Sequence, residues 1–130
     1  MAAVEGDVAV LILDENGQRR EQIQRALQND PGIKYLSMRT AQEVVNACAD
    51  VELNVGLVVV VYSKGPKNVF NAIQRLRENA RDKMPAVIGA TTRAQHNFFL
   101  LDCGCKDTVT LSGSNPGPLL SRKVREHIGL

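Results

Sequence analysis

Two adjacent carboxylates, Asp14 and Glu15, follow directly on the continuous aliphatic run Val8 to Leu13. Oxygen ligands gathered at a strand end are what a hard cation such as Mg²⁺ takes, although Mg²⁺ keeps several waters and a pair without a third carboxylate would bind it only weakly. The plainer reading is an acidic relic satisfied by water and by the positive end of the helix that follows. Tyr62, Ser63, Thr91 and Thr92 are the other polar groups that end apolar runs. A tyrosine in such a place ordinarily buries its ring and leaves its hydroxyl wet. Cys103 and Cys105 make a C-x-C turn, with Cys48, His96 and His127 elsewhere. Zinc sites use paired C-x-x-C spacing or close histidines, so no metal centre is expected there, and the two thiols read as small packing residues.

The elements that must position these groups alternate in kind. Val8 to Leu13 and Leu57 to Tyr62 are unbroken aliphatic runs rich in β-branched residues, the pattern of strands buried on both faces. Ile33 to Met38 is weaker and suits a sheet edge. Ala86 to Thr91 and Thr108 to Leu111 supply two more short strands. Between them lie amphipathic stretches: Gly17 to Gln28 with Ile23, Ala26 and Leu27 inward; a helix capped by Thr40 and Glu43; Val69, Phe70, Ile73 and Leu76; Gln95 to Asp102; and Leu119 to Ile128 with Leu119, Leu120, Val124 and Ile128 inward. Strands separated by helices force right-handed parallel crossovers. The expectation is an α/β fold, a flavodoxin-like (βα)5 doubly wound parallel sheet of order 2-1-3-4-5. Its ligand crevice lies outside the carboxyl ends of the strands, where Asp14, Glu15, Tyr62, Ser63, Thr91 and Thr92 should meet.

Composition narrows the function. At 130 residues the chain fits a single domain, 1–130, with 44% hydrophobic residues to build a core. A net charge of +2 argues against binding nucleic acid through many phosphates, and the absence of Trp removes an aromatic platform for bases. No apolar run approaches the ~20 residues of a membrane helix. Three cysteines make no disulfide framework, so a cytoplasmic, reducing setting is expected. No cofactor is expected: Asn16-Gly17 is not a glycine-rich phosphate loop, and the acidic pair beside it would repel a flavin phosphate.

From Val8 to Ile128 the chain resembles the receiver domain of two-component response regulators. The resemblance is carried by VLILDENGQRREQIQRAL, LVVVVYSKGP, PAVIGATT and the CGCKD turn. It implies an acidic pair that binds Mg²⁺, an Asp that ends the third strand and accepts a phosphoryl group, a Thr or Ser that ends the fourth, and a Lys that ends the fifth. This sequence keeps the pair and departs at the centre. The acceptor position falls on Tyr62 when counted back from Pro66 and on Val61 when counted along the strand, and no carboxylate lies between Asn54 and Glu78. Valine cannot react, and a phenol of pKa ~10 lacks a neighbouring base in the sequence. Thr108 to Ser112 holds no lysine, and the hydroxyl position of the fourth strand is Ala90 or Thr91. The pattern is that of a degenerate, non-phosphorylatable receiver, a pseudo-receiver.

Such a module implies protein partners: an attached or separate output such as a transcription regulator or a sensor kinase, or a homodimer. A fragment excised from a larger signalling protein would fit the same reading. The expected contact face comprises Leu101, Asp107, Thr108, Thr110, Arg122 and Arg125, on the fourth helix, fifth strand and fifth helix. In Phe98-Phe99-Leu100-Leu101, registration with the family turns Phe98 and Leu100 inward and leaves Leu101 outside. Asp107 and Arg122 match charges that pair across the dimer face in the family's transcription factors. The basic run Arg122, Lys123, Arg125 and His127 suits the negative end of the last helix. A second reading places a small molecule in the vacated crevice around Val61, Tyr62 and Ala90. A flavodoxin-like enzyme, or a receiver phosphorylated in another way, is the least supported.

Overall fold

The computed structural model describes residues 8–14, 17–27, 32–50, 52–61, 71, 73–75, 77–78, 85–91, 94–111 and 117–128. The strands are β1 (Val8–Leu13), β2 (Ile33–Met38), β3 (Val55–Val61), β4 (Ala86–Thr91) and β5 (Asp107–Thr110), all parallel, in the order β2-β1-β3-β4-β5. The helices are α1 (Gly17–Leu27), α2 (Ala41–Ala49), α3 (helical at 71, 73–75 and 77–78), α4 (Asn97–Asp102, entered through a 3-10 turn at Ala94–His96) and α5 (Gly117–Ile128). This is the doubly wound order expected from the alternation of aliphatic runs and amphipathic stretches.

Side chains leave a strand on alternate faces, and each face of this sheet carries its own core. Val10, Ile12, Leu57, Val59, Ile88 and Val109 pack with Ile23 and Leu27 of α1 and Leu120 and Val124 of α5. Leu11, Leu13, Val58, Val60 and Val87 pack on the other face with Val44 of α2, Ile73 of α3 and Leu100 of α4. Val58, Val59 and Ile88 are wholly buried, which accounts for the unbroken runs. In β2 the burial is partial, because that strand has one neighbour.

Local signals hold where the chemistry is specific. Thr40 Oγ1 accepts from the Glu43 N–H (3.2 Å) while Glu43 Oε1 accepts from the Thr40 N–H (3.2 Å), a complete capping box. α5 starts at Gly117-Pro118, ahead of the expected Leu119, because proline suits a first turn whose N–H groups have no helical acceptor. β5 begins at Asp107, one residue before the expected Thr108.

Other expectations are corrected. Phe98 points outward, 80% exposed, and Phe99 is the half-buried ring against the core. Positions two apart on a helix differ by about 200°, so Phe98 and Leu100 cannot share an inward face. Leu100 takes that place over Gly89, where a Cβ would stand 2.9 Å from the leucine Cδ1. Leu119, expected inward, is exposed beside buried Leu120, and Ala26 is exposed beside buried Leu27. β3 is described as far as Val61; Tyr62, Glu15, Ser63 and Thr92 lie outside the described residues, as do Val69, Phe70 and the side chain of Leu76.

Candidate functional site

The carboxyl ends of the strands bring Asp14, Val61, Ala90 and Thr91 to one edge of the sheet. Leu13 is level with Val60, and Val61 with Ala90, so one residue further on Asp14, Val61 and Ala90 form a row across β1, β3 and β4. The row belongs to the α1/α5 face, where Val61 and Ala90 are buried in the core. Thr91 is one residue later, level with Thr110 of β5, and faces α4. The two candidate hydroxyl positions of β4 thus lie on opposite faces: Ala90 beside Val61, and Thr91 away from it.

Asp14 is 1% exposed. Its N–H donates to the Met38 carbonyl (3.3 Å), and its own carbonyl accepts from Arg20 Nη1 of α1 (2.7 Å). Arg20 therefore ties the first turns of α1 to the end of β1, a contact with no spacing motif to announce it. Among the described residues no three of His, Cys, Asp and Glu gather into a metal-holding group.

A polar cluster joins the ends of β4 and β5 to α4. Thr91 Oγ1 lies 3.4 Å from His96 Nδ1, and Asn97 Nδ2 donates to Thr110 Oγ1 (3.3 Å). Asn97 Oδ1 is buried, with no hydrogen-bond partner among the described residues. The Leu111 N–H donates to the Thr91 carbonyl (2.7 Å) and carries the β4–β5 ladder past the end of β5. Asn97 stands in no recognisable motif, and the sequence singles out His96 only as a histidine without a close metal-ligating partner.

Asp107, Thr108, Thr110, Leu101, Arg122 and Arg125 do come together on adjacent α4, β5 and α5. Leu101 and Arg122 are exposed, and the other four are partly buried. Within the chain Asp107 is bound by α5 and by its own neighbour. Asp107 Oδ2 accepts from Lys123 Nζ (2.9 Å) and meets His127 Nε2 (3.0 Å), while Oδ1 accepts from the Thr108 N–H (2.8 Å). Burial pushes the Asp107 carboxyl up, but these hydrogen bonds and the Lys123 charge outweigh it and hold it at about 2. The same bond raises the Lys123 ammonium. Lys123 and His127 are one helical turn apart, the spacing that could have flagged a shared acceptor.

The cysteines pack. Cys103 and Cys105 are buried on the α4 side of the sheet, around Gly104 at φ +113°, a backbone shape that disfavours a side chain. Burial pushes the Cys105 thiol up to about 12, with Cys103 adding to the rise and Arg77 opposing it. A thiol held protonated is a poor nucleophile and a poor ligand.

No protein-family model and no curated protein sequence matches the chain. Solved structures do match. A chain from the complex of the P1 domain of CheA3 with CheY6 of R. sphaeroides aligns with a TM-score of 0.75 and 20% identity over 96% of this chain and 99% of that one. The response regulator domain of Thermotoga maritima CheB gives 0.72 and 18%, over 95% and 98%. The fold is that of a receiver domain. A further Thermotoga maritima response regulator is similar at 0.71 and 21% identity, with 95% and 99% covered. At the carboxyl ends of the strands Asp14, Val61 and Ala90 share the α1/α5 face, and Thr91 lies on the other. No helix among the described residues is long and apolar enough to cross a membrane.

Proposed function

We propose that this chain is a signalling module of receiver type that works through protein contacts and not through an aspartyl phosphate. The observation that carries the reading is the row Asp14, Val61 and Ala90. Phosphoryl transfer to a receiver needs a carboxylate at the end of the third strand, and here Val61, 5% exposed, offers hydrocarbon. The next residue, Tyr62, is a phenol, and no lysine stands in β5 or directly after it to pair with a phosphoryl charge. The acidic pair Asp14-Glu15 is then vestigial, with at most weak Mg²⁺ affinity.

The contact face in this reading is formed by α4, β5 and α5, with Leu101, Thr108, Thr110, Arg122 and Arg125 as its members and Phe98 added by its exposure. Among the described residues the exposed large apolar side chains, Phe98, Leu101 and Leu119, lie on α4 or α5. The complex of CheY6 with the P1 domain of CheA3 is a precedent for a protein of this fold held by a protein partner. The output is an attached or separate regulator, or a second copy of the chain, in a soluble, cytoplasmic setting.

The test is an amide NMR titration with Mg²⁺ and then beryllofluoride, the mimic of an aspartyl phosphate, read at Asp14, Glu15, Tyr62 and Thr91. No saturable beryllofluoride shift is expected. A saturable shift that spreads to Thr108 and Leu101 would restore a phosphorylation switch and defeat the reading.

A further inference from the structure

The C-x-C turn that joins α4 to β5 is closed by its own backbone. Gly104 N–H donates to the Leu101 carbonyl (3.0 Å), and Cys105 N–H reaches back five residues to the Leu100 carbonyl (3.1 Å), the paired bonds of a helix that ends in a left-handed residue. Gly104 supplies that residue at φ +113°. On either side of it Cys103 and Cys105 are buried in the core shared by α2, α3 and α4. A glycine has no side chain to cover such a turn.

α3 covers it instead. Ile73 and Arg77 are one helical turn apart and reach Gly104 together. Where a Gly104 Cβ would stand, the Arg77 guanidinium is already seated, and Ile73 Cγ2 lies 3.3 Å away. Ile73 is buried and Arg77 exposed, so the two close the turn from within and from outside. The Arg77 charge is near enough to Cys105 to oppose the rise that burial imposes on that thiol. A cation also suits the negative end of a helix, and the flat, weakly hydrated guanidinium can lie close against the backbone of the turn.

We infer that Arg77 is a latch that holds the last turn of α4 against α3 and seals the Cys103–Gly104–Cys105 segment, so that its release is the local opening that makes the two thiols reactive. This stands apart from the row Asp14, Val61 and Ala90, and it holds whether or not the α4–β5–α5 face takes a partner. It also gives position 104 a second reason to be glycine, since any side chain there would displace the guanidinium.

The experiment measures alkylation by iodoacetamide, in which the thiolate sulfur displaces iodide and the thiol proton passes to solvent, beside amide hydrogen exchange and urea unfolding. A Cys48→Ala parent leaves Cys103 and Cys105 as the thiols that can react. Arg77→Ala in that parent is expected to speed exchange of the Gly104 and Cys105 amides about fivefold while the urea midpoint is kept. Alkylation should speed up as well, although loss of the Arg77 charge alone would slow it by raising the Cys105 thiol. Arg77→Met, which keeps an unbranched stem without the guanidinium, should behave as Arg77→Ala does. Exchange and alkylation at the parent's rates in either variant would overturn the inference. So would faster rates that merely track a lower global stability.

Discussion

At the residue scale, Asp107 is an internal clamp between β5 and α5. Lys123 and His127, one turn apart on α5, converge on one carboxylate at the start of β5, so the helix is held where its apolar stripe already docks. Pairs of this partly exposed kind are worth about 0.5–1 kcal/mol, and Asp107→Asn is expected to destabilise the protein by about that much in urea unfolding. The folded carboxyl sits at about 2, below its ordinary 3.8. A depressed acid stabilises the fold above its unfolded value and loses that contribution as pH falls through the folded one. The wild type should therefore lose stability between pH 3.8 and about 2 in a way that Asp107→Asn does not, which urea midpoints across that range will show. The Asp107–Lys123–His127 cluster was invisible in the sequence because its members are far apart in the chain. Arg122, by contrast, was picked by homology and lies free of that clamp on the surface.

At the element scale, α4 is the marginal piece. It has six residues, and the His96 side chain makes no capping bond. Helices this short draw their stability from packing. Leu100, wholly buried above Gly89, is the anchor, so Leu100→Ala should cost about 2–4 kcal/mol. Phe98→Ala, on the opposite side of the same helix, should change stability by less than about 0.5 kcal/mol. Equal effects of the two in thermal or urea unfolding would contradict the helix phase described here. α2 behaves differently, because its start is written into local sequence: Thr40→Ala removes the capping hydroxyl and should cost about 1 kcal/mol. That contrast separates what was legible from what was not. Thr40 with Glu43 is a local pattern with one geometric meaning, whereas four consecutive apolar residues in α4 admit several phases until Gly89 gives one of them room.

At the scale of the whole molecule, two cores lie back to back on one sheet, and among the described residues the large apolar side chains left exposed are on α4 and α5. If that surface serves a partner, Leu101→Glu should abolish self-association or partner capture while unfolding stays within about 0.5 kcal/mol of wild type. Unchanged assembly in sedimentation would remove Leu101 from the face. Sequence by itself determined the strand order, because unbroken β-branched runs alternating with amphipathic stretches leave few right-handed parallel arrangements. It also determined that the third strand ends without a carboxylate, since residue types need no coordinates. Only the tertiary structure decided that Val61 and Ala90 stand in one row with Asp14 while Thr91 faces α4, because strand register places residues distant in the chain. It alone decided too that Phe98 faces out and that Asp107 meets Lys123 and His127 of α5. Those outcomes depend on which side chain finds room and which polar group finds a partner across elements, and no local pattern records either.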